Sequence, residues 1–178
     1  SIRKPDAIII TGDIIQGVLL GTENYAQHLE NQYQVASDFI GQLCTEYLDG
    51  DRSRVVIVPG NHDVDWNTAR AAMIEVPLDT DIRLADVFRE GSQYRWCWKS
   101  RMFYKIENEA LYAERLNAYW NFIEQFYEDV KIPHLVKGSD YSIFQLLGGR
   151  IGVAAFNSCH GNDCFADHGS IQRSAISE

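Results

Sequence analysis

The stretch Asp6-Ala-Ile-Ile-Ile-Thr-Gly-Asp13 decides the fold, together with a second stretch of the same kind, Arg54-Val-Val-Ile-Val-Pro-Gly-Asn-His-Asp63. Each is a short β-branched run that ends in glycine and a polar cluster, which is typical of a buried strand opening into a loop. Between them, from about Tyr25 to Leu48, apolar residues recur at helical spacing until Gly50 breaks the pattern. The order strand, helix, strand predicts a βαβ unit in a mostly parallel sheet, with a ligand site at the carboxyl ends of the strands.

The predicted helix is an amphipathic crossover helix with an apolar stripe. That stripe comprises Leu29, Val35, Phe39, Ile40, Leu43 and Tyr47. Such a stripe on a crossover helix places the helix on one face of the two strands.

The remainder of the chain predicts an insertion followed by a return to the sheet. Residues 64–140 are rich in aromatic side chains and mostly helical in pattern, most clearly over Glu109–Val130. Those aromatics either fill a local core, which is the commoner case, or form a wall on which a substrate stacks. Tyr141–Leu147 and Arg150–Phe156 predict a hairpin. We therefore predict an α/β fold in which residues 1–63 and 141–178 form the sheet core, an incomplete sandwich, and residues 64–140 a helical insertion in the same domain.

Composition restricts the class of protein. The 178 residues are 46% hydrophobic and 23% charged, as expected for one soluble globular domain without a membrane span. The net charge is −9 and no basic strip is present, so a nucleic-acid partner is possible but unsupported by charge. The four cysteines lack paired C-x-x-C spacing, which favours reduced thiols in a cytoplasmic protein.

Two polar clusters carry the candidate chemistry, namely Gly12-Asp13 after the first strand and residues 60–63 after the second. Because parallel strands end at the same sheet edge, a carboxylate, a carboxamide and an imidazole should converge there. Asp13 and Asn61 offer the oxygen ligands that hard divalent ions prefer, while the imidazole of His62 suits zinc, manganese or iron. The alternatives are a carboxylate that caps a turn and an asparagine-led turn with an exposed histidine.

The two clusters resemble the second and third signature motifs of the calcineurin-like metallophosphoesterase superfamily. Gly12-Asp13 and Gly60-Asn61-His62-Asp63 each follow a hydrophobic strand directly, and one helix separates them. The similarity covers roughly residues 6–65 and, more loosely, the strand that ends in Phe156-Asn157-Ser158. It implies that Asp13 bridges two divalent metal ions and that Asn61 binds one of them. It also implies that His62 binds the phosphate and assists the leaving group, while Asp63 holds the His62 ring.

The resemblance implies a metal-dependent hydrolase of phosphate esters or diesters with Mn²⁺, Fe²⁺ or Zn²⁺ as cofactor. Substrate choice would fall to the insertion over residues 64–140 and to the absent C-terminal part. The candidates are cyclic nucleotides, other nucleotides, nucleic-acid ends and phosphoproteins, and small nucleotide-like esters or diesters are favoured by the acidic charge and the aromatic insertion. A nuclease of the same fold and a catalytically inactive scaffold are the alternatives. The charge of the full-length sequence would separate the nuclease from the nucleotide hydrolase.

The first and last motifs of the superfamily, Asp-x-His and Gly-His-x-His, do not occur in this chain. Ser1 is neither a methionine nor followed by a signal segment, so we expect the start to be a processing or domain boundary. We expect the remaining metal ligands to come from the rest of the full-length chain or another polypeptide, and the isolated fragment to be weak or inactive. His160 and His168 are the nearest candidate replacements, in Ser-Cys-His-Gly and Asp-His-Gly contexts.

The other polar residues are expected to have no direct part in the chemistry. A zinc knuckle would use Cys159, His160, Asp163, Cys164 and His168, but their spacing fits no standard tetrahedral pattern, and we expect a loop near the mouth of the active site. His28 and His134 are expected at the surface. The charges along the long helix, Glu107, Glu109, Glu114 and Arg115, predict a solvated face.

Overall fold

A parallel pair of strands joined by a long helix forms the centre of the molecule. The computed structural model describes residues 3–89, 91–130 and 134–177. The described elements are β1 (Ile8–Thr11), α1 (Tyr25–Leu48), β2 (Val55–Val58), α2 (Trp66–Ala71), β3 (Met73–Val76), α3 (Leu84–Val87), β4 (Tyr94–Cys97), β5 (Met102–Ile106), α4 (Glu109–Ala113), α5 (Asn117–Phe126), β6 (Tyr141–Leu146), β7 (Ile151–Phe156) and α6 (Ser174–Ser177). β1 and β2 run parallel, from Ile8 opposite Val55 to Thr11 opposite Val58. The predicted βαβ unit is confirmed.

β2 lies between two layers of structure. Its Val55 and Ile57 pack into the main core, which also contains residues of α1 and α5. Val56 packs on the opposite side against Phe144 and Ala155 of the β6–β7 hairpin. This alternation follows from the two-residue period of a strand. Helices, parallel strands and hairpin thus form three layers, which confirms the predicted α/β class and the predicted hairpin.

α1 has the predicted bounds but packs through a different stripe. It ends at Leu48, and the capping residue Asp49 has a left-handed backbone and donates its N–H to the Cys44 carbonyl. The buried residues of the helix are Leu29, Tyr33, Ile40, Cys44 and Leu48. Val35 and Phe39, two members of the predicted apolar stripe, are 70% and 59% exposed. The helix carries two apolar stripes, and periodicity alone does not decide which one faces the strands.

β1 is more exposed than the buried strand that the sequence predicts. Ile9 is 60% exposed, while Ile8 and Ile10 are half-buried. Among the described strands β1 pairs with β2 alone, so one of its edges has no partner strand there. The expectation of a mostly parallel sheet is likewise corrected, because the two other described sheets are antiparallel.

Residues 64–140 contain a sheet as well as helices. β3, β5 and β4 form an antiparallel sheet in that order, where we expected mostly helical structure. These strands are four or five residues long, too short for hydrophobic periodicity to distinguish strand from helix. The helical pattern after Glu109 is confirmed in α4 and α5. That residues 64–140 are an insertion remains a prediction, and α5 packs in the same core as α1. No helix in the described part of the chain is long and apolar enough to cross a membrane.

Candidate active site

The loops that follow β1 and β2 meet backbone to backbone. Gly12 and Asp13 both have positive φ angles, 103° and 53°. A Cβ atom on Gly12 would lie 2.7 Å from the Cα of Gly60, and a Cβ on Gly60 would collide with the backbone and carboxylate of Asp13. Glycine is therefore needed on both sides of the contact. The structure brings the two predicted clusters together at one edge of the parallel strands.

The Asp13 carboxylate lies against the second cluster. Its Oδ1 accepts a hydrogen bond from the backbone N–H of His62 at 3.1 Å, which places the carboxylate beside the Asn61–His62 peptide. Asp13 is exposed and Asn61 is half-buried. The carboxylate of Asp13 thus lies at an accessible edge next to the backbone that carries Asn61.

The ring of His62 is oriented by a main-chain carbonyl. Its Nδ1 lies 2.5 Å from the Gln16 carbonyl oxygen. Because a carbonyl can only accept, Nδ1 carries the hydrogen, and the Nε2 atom of this exposed ring is left for other partners. Sequence reasoning did not identify Gln16, since a backbone carbonyl leaves no side-chain signature.

Asp63 does not hold the His62 ring, which corrects the role that the resemblance implied. Asp63 is 1% exposed, and its Oδ2 accepts from the backbone N–H groups of Gly60 at 2.8 Å and Ile14 at 3.3 Å. Its Oδ1 accepts from the Tyr33 hydroxyl at 3.1 Å. Burial raises the pKa of Asp63 to about 6, and these hydrogen bonds oppose that shift. Asp63 therefore ties the two loops to α1.

Two adjacent residues of α1, Gln32 and Tyr33, contact the loops of the site through hydrogen bonds. Next to Tyr33, the Gln32 side chain accepts from the Gln16 N–H at 3.0 Å and donates to the Gly17 carbonyl at 3.1 Å. Gln32 thereby fixes the peptide groups on both sides of the carbonyl that orients His62. Polar residues on a helix usually predict a solvent-facing side, so neither Gln32 nor Tyr33 could be assigned to the site from sequence.

The loop after β7 reaches the same place. The Cys159 thiol donates to the Gly60 carbonyl at 3.1 Å, and the Ser158 hydroxyl donates to the Pro59 carbonyl at 3.4 Å. Burial raises the pKa of Cys159 to about 12, which keeps the thiol protonated as a donor. The expected loop near the mouth of the site is thus present, and Cys159 contacts the site through its thiol.

A buried arginine holds this loop. Arg115 donates to the carbonyls of Asn162 at 3.0 Å, His160 at 2.8 Å and Cys159 at 3.2 Å. Its predicted place on a solvated helix face is wrong, because the residue is 7% exposed. Sequence periodicity could not show that a loop more than forty residues away covers this side of the helix.

The oxygen-bearing side chains at this edge are of the type that a divalent metal binds, but they are too few to fill its coordination sphere. In residues 3–89, 91–130 and 134–177, no group of three His, Cys, Asp or Glu side chains is placed to hold a metal ion. The zinc knuckle that the spacing disfavours therefore finds no support among these residues. Asp13 and Asn61 alone would offer two oxygen donors, enough for part of a coordination sphere.

Comparison with known proteins supports one family. No curated protein and no solved structure matches the chain significantly. The model of the calcineurin-like phosphoesterase family matches residues 1–174, which is nearly the whole chain and includes both clusters of the site. The chain therefore belongs to the calcineurin-like phosphoesterase family.

Proposed function

We propose that this protein hydrolyses phosphate esters or diesters of nucleotide-like chemistry at a dinuclear site for Mn²⁺, Fe²⁺ or Zn²⁺. The proposal rests on one observation: the Asp13 carboxylate accepts a hydrogen bond from the His62 backbone N–H at 3.1 Å. This contact lies where the loops after β1 and β2 meet. Family membership supports phosphoester hydrolysis in general. We also propose a cytoplasmic location, which the four free cysteines support.

Asp13 and Asn61 would hold the metal, with further ligands supplied by the rest of the full-length protein. When bound, such ions lower the pKa of a water molecule and offset the charge of the phosphate. The chain's own contribution is to hold the two oxygen donors in fixed positions. The positive φ of Asp13 and its packing against Gly60 serve that purpose.

His62 would act on the phosphate through Nε2. With Nδ1 donating to the Gln16 carbonyl, a protonated ring offers its second N–H to a phosphate oxygen or gives that proton to the departing oxygen. Asp63 and Gln32 are positioning residues in this scheme, because each contacts the loops and neither is placed to touch the substrate.

Hydrolysis of bis(p-nitrophenyl) phosphate by the full-length protein with Mn²⁺ tests the proposal. We expect turnover in the wild type and a loss of about 100-fold or more in Asp13→Asn, since the variant loses the carboxylate donor. Asp49→Asn, which changes an exposed acid at the far end of α1, is the matched control and should keep wild-type activity. Equal activity in wild type and Asp13→Asn would overturn the proposal.

The 178-residue chain alone should hydrolyse this substrate slowly even with added Mn²⁺. Two oxygen donors leave most coordination positions to water, so a second ion in particular would be weakly held. Brisk turnover by the isolated chain that is lost in Asp13→Asn would show that other groups complete the site. His160 or His168 would then be the first candidates.

A further inference from the structure

A cleft outside the proposed metal site has a distinct chemistry. It has a volume of about 720 Å³ and lies between the β4–β5 hairpin, the segment after α3 and the loop that follows β7. This volume falls within the usual range for small-molecule sites. Neither Asp13 nor His62 is among its described lining residues, so the roles proposed above do not involve the cleft.

One end of the cleft adjoins the active-site loops. His160 lines the cleft and directly follows Cys159, whose thiol donates to the Gly60 carbonyl at 3.1 Å. Gly60 begins the loop that carries Asn61 and His62. The wall of the cleft is therefore continuous in sequence with a residue that contacts the loop carrying Asn61 and His62.

The described lining of the cleft contains more arginines than acids, although the chain is acidic. The chain has a net charge of −9, yet four arginines and two histidines line the cleft, and Glu109 is the single acid among its described lining residues. Arg95 forms an ion pair with Asp163 at 2.6 Å, and Arg115 donates hydrogen bonds to carbonyls of the loop after β7. Arg89 lies at the exposed surface of the cleft. This distribution favours an anionic ligand.

The cleft also presents exposed aromatic rings. Trp98 and Phe88 are 69% and 66% exposed. Trp98 lies in the turn between β4 and β5 and is held edge-to-face on Trp96, with ring centroids 5.9 Å apart. Trp96 in turn packs on Phe103 at 4.6 Å. An exposed indole supported in this way offers a flat face on which a planar ring can stack.

We propose that this cleft binds the nucleoside and the non-reacting phosphate of a nucleotide substrate, with the base stacked on Trp98 and that phosphate attracted by Arg89. The inference rests on the proposed phosphoesterase function and names the part of the substrate that the metal site does not bind. It distinguishes nucleotides from sugar phosphates, which carry the same phosphate but no base.

Equilibrium binding to the full-length protein, measured by calorimetry without metal, tests the inference. We expect adenosine 5′-monophosphate to bind more tightly than ribose 5-phosphate. Trp98→Ala should weaken binding of the nucleotide by about 5- to 100-fold and leave the sugar phosphate unchanged, since only the nucleotide has a base to stack. Trp98→Phe keeps an aromatic face and should retain most of the affinity.

Charge is tested with a matched pair of variants. Arg89→Gln should lower the affinity for both ligands several-fold. Arg3→Gln, which changes an exposed arginine paired with Asp6, should leave both affinities unchanged. Equal loss of both ligands in Trp98→Ala, or nucleotide binding no tighter than that of the sugar phosphate, overturns the inference. Failure of the proposed function would appear separately, as equal hydrolysis by wild type and Asp13→Asn.

Discussion

The loops after β1 and β2 and the loop after β7 meet at Gly60, but they are held in place by different means. The first two contact each other through glycine and a left-handed aspartate, with Asp63 accepting from both backbones. The third is fixed by two arginine side chains, Arg115 from the turn after α4 and Arg95 from β4. Local motifs therefore specify one side of the site, and long-range buried charges specify the other.

The arginine-held loop depends on a second buried carboxylate. Asp163 is fully buried and accepts from Arg95 at 2.6 Å and from the Tyr112 hydroxyl at 2.7 Å. Burial raises the pKa of Tyr112 to about 12, so the hydroxyl stays protonated and donates. The carboxylate thus joins the β3–β5–β4 sheet to the loop that carries His160.

The largest effect should come from breaking that ion pair. Asp163→Ala leaves the Arg95 guanidinium buried without its counter-charge, and we expect the free energy of unfolding to fall by about 3–5 kcal/mol. Urea denaturation measures the change. Asp167→Ala, at an exposed position of the same loop, should stay within about 0.5 kcal/mol of wild type. Similar values for the two variants would contradict the role given to Asp163.

A smaller effect should follow from separating the glycine-held loops. Gly60→Ala places a Cβ against the backbone of Asp13, and we expect a loss of about 1–3 kcal/mol in unfolding free energy. Gly41→Ala is the control, because its Cβ within α1 would meet nothing within 4 Å. That substitution should stabilise the protein by about 0.5–1 kcal/mol. Changes of the same sign in both variants would count against the close contact.

The smallest of the three effects should come from the support behind His62. Gln32→Ala frees the Gln16–Gly17 backbone, and we expect kcat to fall about 10-fold with little change in KM, because ring orientation matters mainly in the reaction itself. Steady-state kinetics of the full-length protein provides the measurement. Gln42→Ala on the exposed surface of α1 should behave like wild type. A Gln32→Ala variant with unchanged kcat would remove Gln32 from the site.

The sequence predicted those features that depend on neighbouring residues. The βαβ unit, the bounds of α1, the hairpin and the polar clusters at Asp13 and Asn61 follow from periodicity and glycine placement. Gln32 and Arg115 could not be found in this way. A polar side chain on a helix has the same local pattern whether it faces solvent or a distant loop, and only tertiary packing distinguishes the two cases.

The metal content of purified full-length protein is the most direct test of the central claim, that Asp13 binds metal while His62 serves the phosphate. After loading with Mn²⁺ and desalting, elemental analysis should find bound metal in wild type and in His62→Ala, and a marked loss in Asp13→Asn. His62→Ala should nevertheless be slow in turnover. Equal metal loss in Asp13→Asn and His62→Ala would contradict the division of roles, and undiminished metal in Asp13→Asn would contradict the site itself.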